Sequence, residues 1–302
     1  MNAAEEVRHK LAAAPIDLRL AVQFSPREQR DALTALFAVY LEIREIPLEC
    51  SDAGVARTKL AWWQEEISLL AEHKSRHPLT QYLAQCIGAR PLPTEPCMEI
   101  IAGAHTDVST FAFPHFEDVE RYCYRCGGAL MELAALLAGA QQPATLDAAR
   151  RLGIAWQLAN IVVTTPTHAQ HGRVYFATDD LHKHGVDRHI VGEAHTGTGL
   201  EALLADYAQR ARAFADAAAS APLPEPQAMV AARVLNSLAQ ARLKKFEWLD
   251  YKLSGPPVKL RPFAALFTAW RSARYAVLLS GAKSSIHPSP TGRGQPPHSG
   301  GG

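Results

Sequence analysis

Apolar side chains recur along the chain at the spacing of one helix face. Leu33, Leu36, Phe37 and Tyr40 fall at i, i+3, i+4 and i+7, and Leu60, Trp63, Ile67 and Leu70 repeat the theme. Leu200, Leu203, Leu204, Tyr207 and Phe214 form a third stripe, and Phe263, Leu266, Phe267 and Trp270 a fourth. Breakers separate these segments: Pro78, the Pro91/Pro93/Pro96 cluster, Pro143, the Pro222/Pro224/Pro226 cluster and Gly255-Pro256-Pro257. No sustained period-2 alternation is present. The pattern predicts an all-α bundle of roughly eight to ten helices without internal repeats.

Composition adds bounds. The chain has 302 residues, 48% of them hydrophobic and 20% charged, an ordinary globular balance. A formal charge of +1 argues against a nucleic-acid binder held by a broad basic face, while leaving a local anion site open. No apolar run reaches the length of a membrane span, since the best, Ala129 to Ala140, is short and carries Glu132. The N-terminus has no apolar core of a secretory signal, so a cytoplasmic protein is expected, with peripheral membrane contact as an open variant. Residues 1–282 read as one domain. Residues 283–302, rich in Pro, Gly and Ser, read as a disordered tail with too little apolar surface to offset ordering entropy. Five cysteines include one C-x-x-C, Cys123 and Cys126, but no second pair, so small residues one turn apart in a packed helix are expected there rather than zinc ligands.

Two stretches carry candidate chemistry. The first holds A-L-F-A-V-Y-L-E-I-R-E-I (35–46) and R-T-K-L-A-W-W-Q-E-E-I (57–67). The second holds Y-C-Y-R-C-G-G (122–128), G-I-A-W-Q-L-A-N-I (153–161) and H-G-R-V-Y-F-A-T-D-D-L-H-K-H-G-V (171–186). In this order and spacing, with the late R-L-K-K-F-E-W-L-D-Y-K-L, they resemble the squalene/phytoene synthase family of head-to-head prenyl transferases. The likeness covers residues 24–274. It implies an isoprenoid-synthase-like helical bundle with a central cavity. Two Asp-rich helical motifs then face each other and hold Mg²⁺ ions against the diphosphates of two prenyl donors. Departure of diphosphate leaves an allylic cation, so hard cations neutralise the leaving group, and carboxylates one helical turn apart can share a metal.

This sequence departs from that pattern. Laid on the first motif, it puts Arg44, Glu45 and Leu48 where aspartates belong. Laid on the second, it puts Thr164, Thr167 and His168 where Asp, Glu and Asp belong. Glu45 alone is acidic. Arg44 reverses the sign: a unit charge pair at about 4 Å is worth roughly 4 kcal/mol at an effective dielectric near 20, here repulsive toward a metal. Pro47 and Pro166 are expected to interrupt the two ligand-bearing helices. Other matches persist. Gln157 and Asn160 fit the Q-x-x-N before the second motif, Arg173 and Tyr175 the G-R-x-Y after it, and Tyr122 and Gly128 the tyrosine- and glycine-containing helix. Thr165 to His168, with the R-V-Y and D-x-x-x-x-H-G that follow, is similar to the non-catalytic branch that includes mitochondrial complex I assembly factor 6.

Each candidate also has a plainer reading. Glu42, Glu45 and Glu49 form either a shifted carboxylate face for a metal or a solvated acidic face, and the second is favoured. His168 and His171, with His182 and His184 nearby in sequence, are favoured as surface histidines over zinc ligands, because no third ligand is fixed by spacing. One of Trp62 and Trp63 is expected in the core. Arg173 either grips a diphosphate or pairs with a neighbouring carboxylate. Arg44 either joins Arg173 at one anion-binding mouth or pairs with Glu45 or Glu49. The helix after Pro262, with Arg271 and Arg274 beside Phe267 and Trp270, is expected to pack in the bundle rather than lie on a membrane.

The reading is a family member without Mg²⁺-dependent prenyl transfer, needing no metal, that binds an isoprenoid or lipid or serves assembly with a protein partner. Its ligand-side candidates are Tyr40, Arg44, Tyr122, Gln157, Asn160, Arg173 and Tyr175, with Phe37 at the cavity wall. The alternative is an active transferase, with Mg²⁺, condensing two farnesyl or geranylgeranyl diphosphates to a squalene- or phytoene-type product.

Overall fold

The computed structural model describes residues 2–284 apart from 89, 91, 110–111, 171, 193–196, 222–223 and 254–256. The expected tail thus lies, from 285 onward, outside the described residues. Helices run in the order α1 (Ala3–Ala13), α2 (Ile16–Phe24), α3 (Arg30–Glu49), α4 (Ala53–Ala71), α5 (Pro78–Ile87), α6 (Thr94–Ser109) and α7 (Phe116–Cys123). A π-helical turn, Tyr124–Gly128, leads into α8 (Ala129–Leu137), followed by α9 (Pro143–Gln170), α10 (Thr178–Lys183) and α11 (Arg188–Gly192). The chain closes with α12 (Thr198–Ser220), α13 (Val230–Trp248) and α14 (Pro262–Ser284). Among the described residues there is no strand, only a single bridge joining Phe113 to Ala177. The all-α expectation is met.

Local signals explain where helices start. Asn2 and Glu5 form a reciprocal capping box on α1, and Asp52 accepts the Val55 N–H at 2.8 Å to open α4. Glu66, fully buried on α4, accepts the backbone N–H groups of Arg76 and His77 and the hydroxyl of Thr80, which locks the start of α5 against α4. Burial alone would raise its carboxyl, but these donors outweigh it and hold it below the usual range.

α9 is the central post, packed on α8, α12, α13 and the π turn. It crosses that turn at backbone contact. A Cβ on Gly153 would stand 2.3 Å from the carbonyl oxygen of Gly127, and one on Gly127 equally near the oxygen of Gly153. Glycine at both positions is what lets the two backbones touch. Cys123 and Cys126 are buried in the same packing, as small interior residues, and burial pushes the Cys126 thiol up to about 12.

Three expectations are corrected. Pro47 and Pro166 do not interrupt their helices, because α3 and α9 run through them. Pro47 lies in the last turn and deprives only the carbonyl of Ile43 of its helical donor. Before Pro166, the hydroxyls of Thr164 and Thr165 bond back to the carbonyls of Asn160 and Ile161, one turn below. The third correction concerns α14. Its apolar stripe faces outward, with Phe263, Leu266, Phe267 and Trp270 all exposed, while Ala265, Ala269 and Ala273 form the buried face. Small alanines let α14 lie close on α13 and α2, and the larger side chains are left outside. Trp63 is in the core as expected, and Trp62 is half-exposed beside His77 and Arg76.

Candidate functional site

Tyr40 and Arg44 stand one turn apart on the inner side of α3. From α6, near its C-terminal end, Asp107 meets them. Arg44 Nη2 lies 2.7 Å from Asp107 Oδ2, with side chains 16% and 3% exposed respectively. Two phenols complete the carboxylate's shell. Tyr122 of α7 donates to Asp107 Oδ1 at 2.9 Å, and Tyr175 donates to the same oxygen at 2.7 Å. Arg44 Nη2 also donates to the Tyr122 oxygen at 3.1 Å, while Nη1 is buried without a partner among the described residues.

Aromatic stacking ties this cluster to the second motif. The Tyr122 and Tyr175 rings stack with centroids 5.1 Å apart, and Phe113 leans on both. The bridge from Phe113 to Ala177 fixes the segment bearing Tyr175. His168, at the end of α9, meets Tyr175 edge-on at 4.8 Å. Arg44 and His168, one from each motif, are therefore linked through Asp107 and two tyrosines. The fold brings the two motifs together, as the resemblance implied.

The electrostatics follow from burial. Burial raises the phenols of Tyr40, Tyr122 and Tyr175 far above their ordinary value, so they act as neutral donors. Burial opposes the Arg44 charge, but Asp107 together with the Cys126, Tyr122 and Tyr40 side chains outweighs it and keeps the guanidinium protonated.

Several sequence candidates lie elsewhere or have other partners. Arg44 pairs with Asp107, not with Glu45 or Glu49. Glu42 and Glu45 instead hold Lys10 of α1, and Glu49 and Leu48 are exposed, so the carboxylates of α3 form an inter-helix clamp rather than a metal face. Arg173 donates to the carbonyl of Pro47 at 2.9 Å, stitching the segment after α9 to the end of α3. Thr167 is exposed and Thr164 is turned back onto its own helix. Asn160 accepts from Arg242 of α13 at 2.7 Å, and Arg242 is in turn paired with Asp17 of α2 at 2.7 Å, forming a second buried network. Gln157 sits beside Gly127 at the π turn. His184 lies 3.3 Å from Asp206, His182 is exposed, and His171 is outside the described residues. Phe37 is fully buried. A recess of about 170 Å³ opens beside Tyr122, between Thr106, Phe113 and Arg125.

The squalene/phytoene synthase family model matches residues 17–264. The chain belongs to that family. It is 26% identical over 175 residues to the phytoene synthase of Arthrospira platensis, covering 54% of this chain and 57% of that protein. It is 29% identical over 167 residues to the phytoene synthase of Mycobacterium tuberculosis, covering 55% and 54%. The chain spans about half the length of the relatives it matches. Among solved structures, a dehydrosqualene synthase in complex with ligand superposes with a TM-score of 0.78 at 19% identity, covering 92% of this chain and 98% of that one. The squalene synthase HpnC from Alicyclobacillus acidocaldarius gives 0.73 at 19% identity, covering 83% and 95%. The isoprenoid-synthase-like all-α fold is shared with both.

The family resemblance implies Mg²⁺ here, and the residues present do not fit it. Mg²⁺ takes oxygen ligands in tight octahedral geometry. Both oxygens of Asp107 are already committed, one to Arg44 and one to two phenols, and the guanidinium repels a dication. Among the described residues, no group of three or more His, Cys, Asp or Glu side chains is placed to hold a metal.

Proposed function

We propose that this chain is a non-catalytic member of the squalene/phytoene synthase family, serving as an isoprenoid- or lipid-binding or assembly-type protein. The observation that supports the reading is the Arg44–Asp107 pair under Tyr122 and Tyr175. It puts a protein cation, already neutralised, at the first Asp-rich motif. Such a site gathers, among the described residues, no carboxylate set for a metal, and the Arg44 guanidinium is already paired. Its phenols are neutral, and Nη1 of Arg44 is a donor without a partner among the described residues. An orphaned buried donor costs about 1–3 kcal/mol, and a ligand with one uncharged oxygen at the end of an apolar chain would satisfy it. The likeness of Thr165 to His168 to the non-catalytic branch points the same way. The names of the phytoene synthase relatives favour the second reading, an active prenyl transferase.

Metal dependence of binding separates the two. In calorimetric titrations, farnesyl diphosphate should bind no more tightly with Mg²⁺ than with EDTA, within about twofold, and farnesol should bind at least as well as the diphosphate. A tenfold or greater gain in diphosphate affinity on adding Mg²⁺ would overturn the proposal and promote the transferase.

A further inference from the structure

The outward stripe of α14 is unlike the rest of the surface. Phe263 is 86% exposed, and Leu266, Phe267 and Trp270 continue from it at helical spacing. Arg271 and Arg274 are also exposed, with the Arg274 guanidinium 5.2 Å from the Trp270 ring centre. The same end of the chain adds Trp248, 80% exposed at the close of α13, with Lys244 and Lys245 exposed on the turn before it. Soluble surfaces carry single exposed aromatics, but a run along one helix marks a surface that meets something apolar.

Charge identifies the occupant. Residues 244–274 hold seven Lys or Arg against two carboxylates, in a chain whose formal charge is +1. One of the two, Glu247, is paired with Arg212. After Asp250 the sequence contains no Asp or Glu at all. Among the described residues, no ion pair engages Lys252, Lys259, Arg261, Arg271 or Arg274. A second copy of this chain would set basic face against basic face at a two-fold contact. An anionic lipid surface answers both features, taking the aromatic rings at its interface and the cations at its headgroups. No helix among the described residues is long and apolar enough to cross a membrane, so the contact would lie in the surface plane.

We propose that α14, with Trp248 and the basic residues flanking it, is a docking face for anionic membrane surfaces. It is independent of the proposal made for the Arg44–Asp107 site. The alanine face of α14 holds the helix on α13 and α2, so its lipid-facing side chains are presented without any rearrangement of the bundle.

The test is flotation of the full chain with vesicles of phosphatidylcholine, with and without phosphatidylglycerol. Binding is expected to the anionic vesicles only and should weaken as salt rises. Phe267→Ala with Trp270→Ala should lower binding at least tenfold at any salt. Arg271→Ala with Arg274→Ala should lower it about fivefold per residue at low salt, and less at high salt. Far-ultraviolet circular dichroism should be unchanged in both variants, since none of the four side chains is buried, which separates lost binding from lost fold. Failure of the unaltered chain to float with anionic vesicles at low salt would overturn the proposal, as would wild-type binding by the aromatic variant. A concentration-dependent dimer that the aromatic variant abolishes would assign the face to a second copy instead, also against the proposal.

Discussion

Asp107→Ala is expected to destabilise the protein by about 3–5 kcal/mol, measured by denaturant unfolding. The substitution strands the Arg44 guanidinium, 16% exposed, in a cluster whose remaining neighbours are neutral phenols. It also removes the one carboxylate to which both Tyr122 and Tyr175 donate, so two buried hydroxyl protons lose their acceptor at once. Arg44→Met should cost less, because Asp107 keeps its two phenol donors. Combining Arg44→Met with Asp107→Leu should recover much of the loss, since neither charge is then left buried alone. A cost below about 1 kcal/mol for Asp107→Ala would mean that the pair is solvated and that its neutrality does not shape the site.

Gly153→Ala is the second large effect, with a net cost of about 2 kcal/mol or more. The new methyl would stand 2.3 Å from the Gly127 carbonyl oxygen and 2.6 Å from the Gly128 Cα, all backbone atoms that no rotamer change can move. Alanine gains about 1 kcal/mol of helix propensity over glycine, which an overpacking cost of about 3 kcal/mol or more exceeds. Separating α9 from the π turn would also shift Tyr122, which precedes that turn, and with it the stacking on Tyr175. Near-ultraviolet circular dichroism should therefore lose tyrosine signal along with stability. A variant as stable as wild type, with an unchanged spectrum, would refute the close crossing.

The all-α class and the inner faces of α3, α4 and α12 were legible in the sequence, because a 3.6-residue period needs only local spacing. The expected eight to ten helices fell short of the fourteen among the described residues, the short ones having too few turns to show a period. Motif order led to Arg44, Tyr122 and Tyr175, which the fold brings together. Asp107 was not legible. It lies on α6 outside any motif, and its role appears only when α3 and α7 close on it. The signal that pointed toward it was Arg44 itself: a cation on an otherwise apolar helix face needs a carboxylate, although sequence cannot say which. Lys10 facing Glu42 and Glu45, and Asp17 facing Arg242, escaped for the same reason, being pairs between distant segments. α14 failed differently. Periodicity identified its apolar stripe correctly, but a period does not tell whether that stripe is covered. Its alanines, small enough for close packing, took the inner face.

The most direct measurement of the central claim is incubation of the purified full chain with labelled farnesyl or geranylgeranyl diphosphate and Mg²⁺, followed by extraction and chromatography of the apolar products. With Arg44 and Asp107 committed to each other and, among the described residues, no group of metal ligands gathered, no squalene- or phytoene-type product should form above the no-protein control. Product that forms with Mg²⁺ and vanishes with EDTA would contradict the account.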